Sequence, residues 1–405
     1  MVTGLGLSAY RALSRRRAST PYTTSAVRPS GALVWMHAPE EGSADTAATL
    51  ARRLAATLPD LTVIVTVAGK TRPLCAGKDL ICETLPQDHP DTARQFIDHW
   101  KPDVALWLWG NLQQSFIDAA AHSGAALLLV NAGQNGFDEL SSRRRRNVAH
   151  RMFGLFDKVI ARSDAAATRL TMLGCSGEIL EQTAPLQTSS IALPFAQTDF
   201  DEMADVLKGR PVWHAAAVQP EEVSVVLEAH RHASRMSHRL LLVLNPADPA
   251  QENDCIAILK DQNMRFANWD EGAFPDDNCQ VLLAPSQGEL GLWYRCAPVS
   301  FLGSSLVAGK GGLDPMQAAA LGSAVLYGPN VRNHLNVYTR LATVGAARIV
   351  NDANALGVAV TRLMAPDHAA TMALAGWDVA SESAAVTDRI VDLVQDALDA
   401  RQRRG

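Results

Sequence analysis

Short apolar runs alternate with helix-patterned stretches along most of the chain, and that alternation restricts the fold more than any other feature. "ALVWMH" (32–37) is followed by a helical pattern from Ala44 to Leu58. "LTVIVTVA" (61–68), "DVALWLW" (103–109), "AALLLVNA" (125–132) and "DKVIARS" (157–163) continue the series, with helical patterns reaching His122 and covering 141–153. Such runs keep no polar face for water, so they fit parallel strands covered by helices on both sides. The rhythm breaks at 182–200, where Pro185, Pro194 and polar residues intervene. It resumes with "PVWHAAA" (211–217), "RLLLVLN" (239–245), "CQVLLA" (279–284), "APVSFLG" (297–303) and "SAVLYG" (323–328). Helical patterns lie at 221–235, 250–261, 288–295, 314–321 and 332–342, and the tail from 352 to 402 is helical. The pattern predicts an α/β protein of two Rossmann-like domains facing a central cleft, with ligands at the carboxyl ends of strands. We set a basic segment at 1–30, one domain at 31–190 and a second, with the C-terminal helices, at 191–405.

A chain of 405 residues accommodates two domains. Lys and Arg against Asp and Glu give 37 − 42 = −5, which offers nucleic acid no general attraction. Cysteines at 75, 82, 175, 255, 279 and 296 form no CxxC pair. Their scatter argues against a zinc site or disulfide framework and for buried free thiols in a reducing compartment. No apolar run is long enough to span a bilayer. Residues 1–38 hold no acidic residue but carry Arg11, Arg15, Arg16, Arg17 and Arg28. Leu5, Tyr10, Ala12 and Leu13 before three arginines fit a short interfacial helix or a solvated basic tail. No metal cluster, Ser-His-Asp arrangement or GxxxxGK[ST] loop is visible, so no metal or cofactor is expected.

The stretch "GSSLVAGKGGLDPMQAAALGSAVLYGP" (303–329) puts Gly311 and Gly312 between an apolar strand and a helix. Backbone N–H groups at such a junction can hold an anion. Lys310 is either a phosphate-binding cation or a solvated loop lysine. Glu289 stands at a helix start, where a carboxylate also suits the dipole. His37 ends the first apolar run and would line the cleft, and Trp107 and Trp109 read as core and cleft wall. The arginines of "SSRRRRN" (141–147) suit a solvated helix face or anionic lipid headgroups.

Several stretches, in order, resemble a known family: "VWMHA" (34–38), "DHWKPDVALW" (98–107), "LLLVNA" (127–132), "FDKVIARS" (156–163), "GRPVWHAA" (209–216), "GELGLWYRCAPVSFLGSSL" (288–306), "GGLDP" (311–315) and "VLYGP" (325–329) with Asn333. The chain resembles the bacterial 3-deoxy-D-manno-octulosonic acid (Kdo) transferases. The resemblance implies a GT-B fold and transfer of Kdo from CMP-Kdo to lipid A precursor, at the cytoplasmic face of the inner membrane, by a peripheral protein. It also implies where the chain departs. Ser43 occupies the slot of the family's general-base Glu, leaving Glu40 and Glu41 as displaced candidates, with Asp45 just downstream. Trp109, Gly110, Asn111 and Gln113 stand where acidic residues follow the family's Leu-Trp, so His37, Trp109 and Asn111 become the acceptor-side candidates. Ala247 and Asp248 replace an Arg and a His on the donor side. There the expected contacts are Gly311, Gly312, Lys310, Asp314, Gln317, Glu289, Ser305 and Asn333, with Leu313, Asp314 and Gln317 replacing His, Asn and Glu. Two alternatives stay open: a catalytically disabled paralogue that binds or regulates, and a transferase with a changed donor or acceptor. Nothing in the sequence fixes an oligomeric state.

Overall fold

The computed structural model describes residues 21–40, 43–58, 60–67, 80–135, 137, 142–186, 192–285 and 287–403. The chain divides into two compact units, Met1–Thr188 with Ser383–Gly405, and Ser189–Glu382. The sequence reading gave 191–405 wholly to the second domain. The residues from Ser383 onward belong to the first unit instead, because Val386, Ile390, Val391, Leu393 and Val394 bury themselves in its core.

The first unit is a parallel sheet of β1 (Ala32–Ala38), β2 (Leu61–Val67), β3 (Leu80–Thr84), β4 (Val104–Leu108), β5 (Ala126–Ala132), β6 (Lys158–Ala161) and β7 (Leu180–Gln182), in the order β3-β2-β1-β4-β5-β6-β7. Side chains alternate across it, as strand geometry requires. Leu33 and Trp35 of β1 join Ala105 and Trp107 of β4 in one core layer. Val34, Met36 and Ala38 join Leu106 and Leu108 in the other. Both faces are apolar because both are covered.

The second unit repeats the plan with β8 (Val212–Val218), β9 (Leu241–Pro246), β10 (Phe266–Asn268), β11 (Val281–Leu283), β12 (Val299–Leu302), β13 (Ala324–Tyr327) and β14 (Ala347–Ile349), in the order β10-β11-β9-β8-β12-β13-β14. Its strands are also parallel. Leu242, Leu244 and Phe301 face one layer, while Leu241, Val243 and Leu302 face the other. These are the two doubly wound α/β units that the alternation predicts.

Residues 21–30 of the basic segment form a strap packed on the first unit. The Tyr22 hydroxyl donates to Glu83 (2.5 Å) and accepts from Trp100 Nε1 (2.6 Å). Arg28 Nε donates to the Trp100 carbonyl (2.7 Å), so its guanidinium serves the protein's own backbone. Residues 1–20 of that basic segment lie outside the described residues. The cysteines depart from the expectation of free thiols throughout. Cys175, Cys255, Cys279 and Cys296 are free, but Cys82 is disulfide-bonded.

The last helix, Pro366–Gln402, is tied to β7 by a bidentate pair. Arg389 Nε and Nη2 donate to Glu181 Oε1 and Oε2 at 2.7 and 2.8 Å. The guanidinium holds the Glu181 carboxyl below its ordinary value of 4.5. A depressed carboxyl stabilises the fold above its unfolded value, and that stability is lost as pH falls through the folded value. Arg389→Ala should therefore cost about 0.2–1 kcal/mol near neutrality, the range for a partly exposed pair. It should also flatten the acid limb of stability below pH 4.5, as measured by urea unfolding at stepped pH.

Candidate functional site

In the second sheet the strand order reverses between β8 and β12. Crossovers leave these two strands in opposite directions, which opens a crevice beyond their carboxyl ends. A cavity of about 180 Å³ lies there. Ala217 of β8 and Gln219 just beyond it, Pro246 of β9 and Ala247 just beyond it, and Ser304, Lys310, Gly312 and Leu313 from the segment after β12 line it, with Leu290 beside them. Of these lining residues, Lys310 alone carries a charge.

Close backbone approach shapes the crevice. A Cβ on Gly303 would meet the Ala217 and Ala216 carbonyl oxygens at 2.6 and 2.8 Å. Ala217 and Ser304 take φ of 49° and 53°, a left-handed conformation that costs a side-chain-bearing residue about 1–2 kcal/mol. Hydrogen bonds hold both: Ser304 Oγ donates to the Ala217 carbonyl (2.9 Å) and accepts from Gln219 Nε2 (2.8 Å). The glycine turn hangs from the same residue, since Gly312 N–H donates to the Ser304 carbonyl (3.0 Å). Gly311 takes φ 88°, and a Cβ there would collide with the Asn333 amide. Asn333 N–H donates to the Gly311 carbonyl (3.2 Å), and the Tyr338 hydroxyl donates to the Leu313 carbonyl (2.7 Å).

The expected donor residues divide accordingly. Gly312 and Lys310 line the cavity, and Gly311 and Asn333 set the turn that carries them. The other four take different roles. Ser305 is buried, its hydroxyl bridging the Leu302 carbonyl and Gly328 N–H, so it is a loop staple. Asp314 caps the six-residue helix Pro315–Ala320 by accepting from Met316 N–H (2.9 Å), so this chain's own carboxylate occupies the helix start. Burial raises its pKa, against the pull of that N–H and of His334. Gln317 sits on the same helix and is not a lining residue. Glu289 accepts from Trp269 Nε1 (2.6 Å) and makes no capping bond; burial raises its pKa. At the positions of the family's Arg and His, Ala247 is bare wall and Asp248 caps a short helix through Ala250 N–H (2.9 Å).

Sequence reasoning missed Glu222. It is 1% exposed, at the third position of helix Pro220–Ser234. Its carboxylate accepts from the backbone N–H groups of Gln219 (3.0 Å), Ser304 (2.7 Å), Ser305 (3.0 Å) and Leu306 (2.7 Å). The spacing Gln219-Pro220-Glu221-Glu222 was the available signal, since a Glu three residues into a helix commonly reaches back to the capping residue.

The first sheet reverses between β1 and β4. There the loops after these strands meet, because a Cβ on Gly110 would lie 2.5 Å from Pro39 Cγ and 3.1 Å from Glu40 Oε1. The exposed Glu40 side chain thus lies over a position that bears none. Ser43 precedes helix Ala44–Thr57 but makes no capping bond; its hydroxyl donates to the Glu40 carbonyl (2.7 Å). That bond ties Ser43 to the Glu40 backbone. Glu41 lies outside the described residues. Asn111 is exposed in the loop after β4, and Trp109 is half-buried with Nε1 donating to the Asn135 carbonyl (3.0 Å).

His37 is not an acceptor contact. β1 continues through Ala38, so residue 37 is still inside the sheet and is 0% exposed. Its Nδ1 bonds Thr66 Oγ1 (2.9 Å), its ring lies 4.4 Å from that of Trp107, and burial lowers its pKa to about 3. His214 is buried likewise, with Nε2 on Asn245 Oδ1 (2.6 Å) and a pKa lowered by burial to about 4. Neither imidazole is a base of useful strength near neutrality.

Residues 11–189 match the family described as 3-deoxy-D-manno-octulosonic-acid transferase (kdotransferase). A 3-deoxy-D-manno-octulosonic acid transferase of Haemophilus influenzae is 25% identical over 373 residues, covering 90% of this chain and 87% of its own. That of Bordetella pertussis is 28% identical over 389 residues, covering 91% and 88%. Among solved structures, Acinetobacter baumannii MurG aligns with 90% of this chain and 99% of its own at a TM-score of 0.51 and 14% identity. The UDP-GlcNAc 2-epimerase of Neisseria meningitidis aligns with 90% and 100% at 0.51 and 13%. These two likenesses establish the fold as GT-B.

The burial of His37 has a measurable consequence. Its imidazole nitrogens should not titrate between about pH 5 and about pH 8 in nitrogen-correlated NMR spectra, where an ordinary histidine does. A folded value of about 3 lies below the ordinary 6.5, so its contribution to stability is present above 6.5 and is lost as pH falls toward 3. A histidine resonance assigned to His37 that shifts through a midpoint near 6.5 would contradict this placement.

Proposed function

We propose that the chain is a divergent member of the Kdo transferase family, which it resembles over most of its length, and that it transfers Kdo, or a related sugar acid, from its CMP conjugate to a lipid A precursor. The observation that carries the reading is the crevice beyond β8 and β12, where Lys310 and Gly312 face a cavity otherwise without charge. Lys310 supplies a point charge for the phosphate of the leaving nucleotide. Uncharged walls let that single cation act without competition for the anion.

The reaction needs one proton removed. The acceptor hydroxyl attacks the anomeric carbon, the new carbon–oxygen bond forms, and the bond from that carbon to the phosphate oxygen breaks, releasing CMP. We assign the base to Glu40. Its carboxylate is solvent-accessible and lies against Gly110 at the strand-order reversal of the first sheet. The residue in the family's base position, Ser43, has its hydroxyl committed to the Glu40 carbonyl. A lipid-linked acceptor implies work at the cytoplasmic face of the inner membrane as a peripheral protein. Among the described residues no helix is long and apolar enough to cross a membrane.

The second reading is a catalytically disabled member that binds or regulates a partner. The replacement of Arg and His by Ala247 and Asp248 favours it, since an arginine aimed at a phosphate contributes about 1.5–3 kcal/mol. Incubation with CMP-Kdo and lipid IVA, with CMP release and product mass followed, separates the two. Transfer is expected. A folded preparation that neither binds CMP nor transfers Kdo would favour the second reading.

Two substitutions refine the test. Glu40→Gln should lower kcat about 10²–10⁴-fold, the usual contribution of a positioned base, with nucleotide affinity unchanged. Lys310→Ala should weaken CMP binding about tenfold, equivalent to losing one charge-assisted contact, as read by calorimetry. A Glu40→Gln enzyme of full activity would move the base assignment elsewhere.

A further inference from the structure

We propose that Glu222 is a positioning residue for the donor side: its buried carboxylate gathers the loop after β12 and fixes it in the shape that lines the cavity. The inference rests on reading that cavity as the donor site.

Glu222 does not line the cavity, whereas Gln219, Ser304 and Gly312 do. All three are held through it. One oxygen, Oε2, accepts from Gln219 and Ser304 N–H, and the other, Oε1, accepts from Ser305 and Leu306 N–H. A carboxylate offers about four acceptor sites, so this one is saturated. Three consecutive N–H groups that converge from a loop entered in the left-handed conformation form an anion-binding concavity. Here the anion is built in. Ser304, 82 residues further along the chain than Glu222, then passes the constraint on through its carbonyl to Gly312 N–H (3.0 Å) and through its hydroxyl to Ala217. The glycine turn is thus two hydrogen-bonded steps from Glu222.

The arrangement also decides where a ligand phosphate can bind. The concavity under Ser304, Ser305 and Leu306 is filled by Glu222, and the start of the Pro315–Ala320 helix is filled by Asp314. A ligand phosphate is left to the Lys310 side of the turn. Glu222 acts by shaping that turn and touches no reacting atom.

Glu222→Gln keeps the volume and replaces two acceptor sites by an NH2 group that faces amide donors. In the full chain, hydrogen exchange at the Ser304, Ser305 and Leu306 amides should quicken about tenfold or more, while amides of β1 and β2 keep their protection. The donor KM should rise about tenfold with kcat within about twofold and the acceptor KM unchanged. A residue that only supports the fold would lower the active fraction and leave both KM values alone. Unchanged donor KM in a folded Glu222→Gln protein therefore overturns the proposal. Should that variant fail to fold, Glu222→Asp, which keeps the charge but shortens its reach, should show the same split at smaller amplitude, and an unchanged donor KM there overturns it equally. If the wild type neither binds CMP nor transfers Kdo, the donor-site reading fails. Exchange then still decides the role of Glu222 in the loop, and unaltered protection at Ser304–Leu306 rejects it.

Discussion

A parallel sheet covered on both faces is the constraint from which the rest of this protein follows. Strands in such a sheet give all their side chains to packing, so chemistry can reside only in the loops at the carboxyl ends, where the strand order reverses. The two buried histidines make the point. His37 and His214 stand on β1 and β8, the strands beside the two reversals, yet both lie in the sheets and burial drives their pKa values far below neutrality. A few residues further on, Glu40 and Gln219 have left the sheet. Glu40 is exposed, and Gln219, itself buried, lines the cavity.

The same constraint explains what could be read from the sequence. The interior strands were legible because burial on both faces writes them as continuous apolar runs. The strands that escaped notice are β3, β7, β10 and β14, and these are the two edges of each sheet. "LICET", "LEQ", "FAN" and "ARI" are partly exposed, so they mix polar with apolar residues and are too short to show a period. The helix Gln197–Leu207 was hidden by the prolines and polar residues that precede it.

At the site, local features were legible and long-range ones were not. Gly311 and Gly312 announced a turn, and their positive φ values bear that out. What the sequence did not reveal was which groups meet. Ser305, Asp314 and Glu289 are expected as donor contacts from the family resemblance, and each makes a hydrogen bond to a neighbour within the fold. Conversely Gly110 read as a lost carboxylate. In the structure its missing side chain is what allows Pro39 and Glu40 to close over it.

The replacements therefore act together. On the acceptor side, Ser43 stands in the slot that the resemblance gives to a Glu, and the carboxylate of Glu40, three residues earlier, lies over Gly110. On the donor side, cations were lost at Ala247 and Asp248, and Lys310 is the one charge that lines the cavity. These changes differ in what they retain. Moving a carboxylate by three residues keeps the chemistry and alters only its geometry, whereas losing an Arg removes a bidentate phosphate contact that a point-charged Lys cannot reproduce. On the proposed reading the acceptor side keeps a carboxylate and the donor side a single cation, so the backbone geometry around Glu222 would carry a larger share of donor recognition than it would beside an arginine.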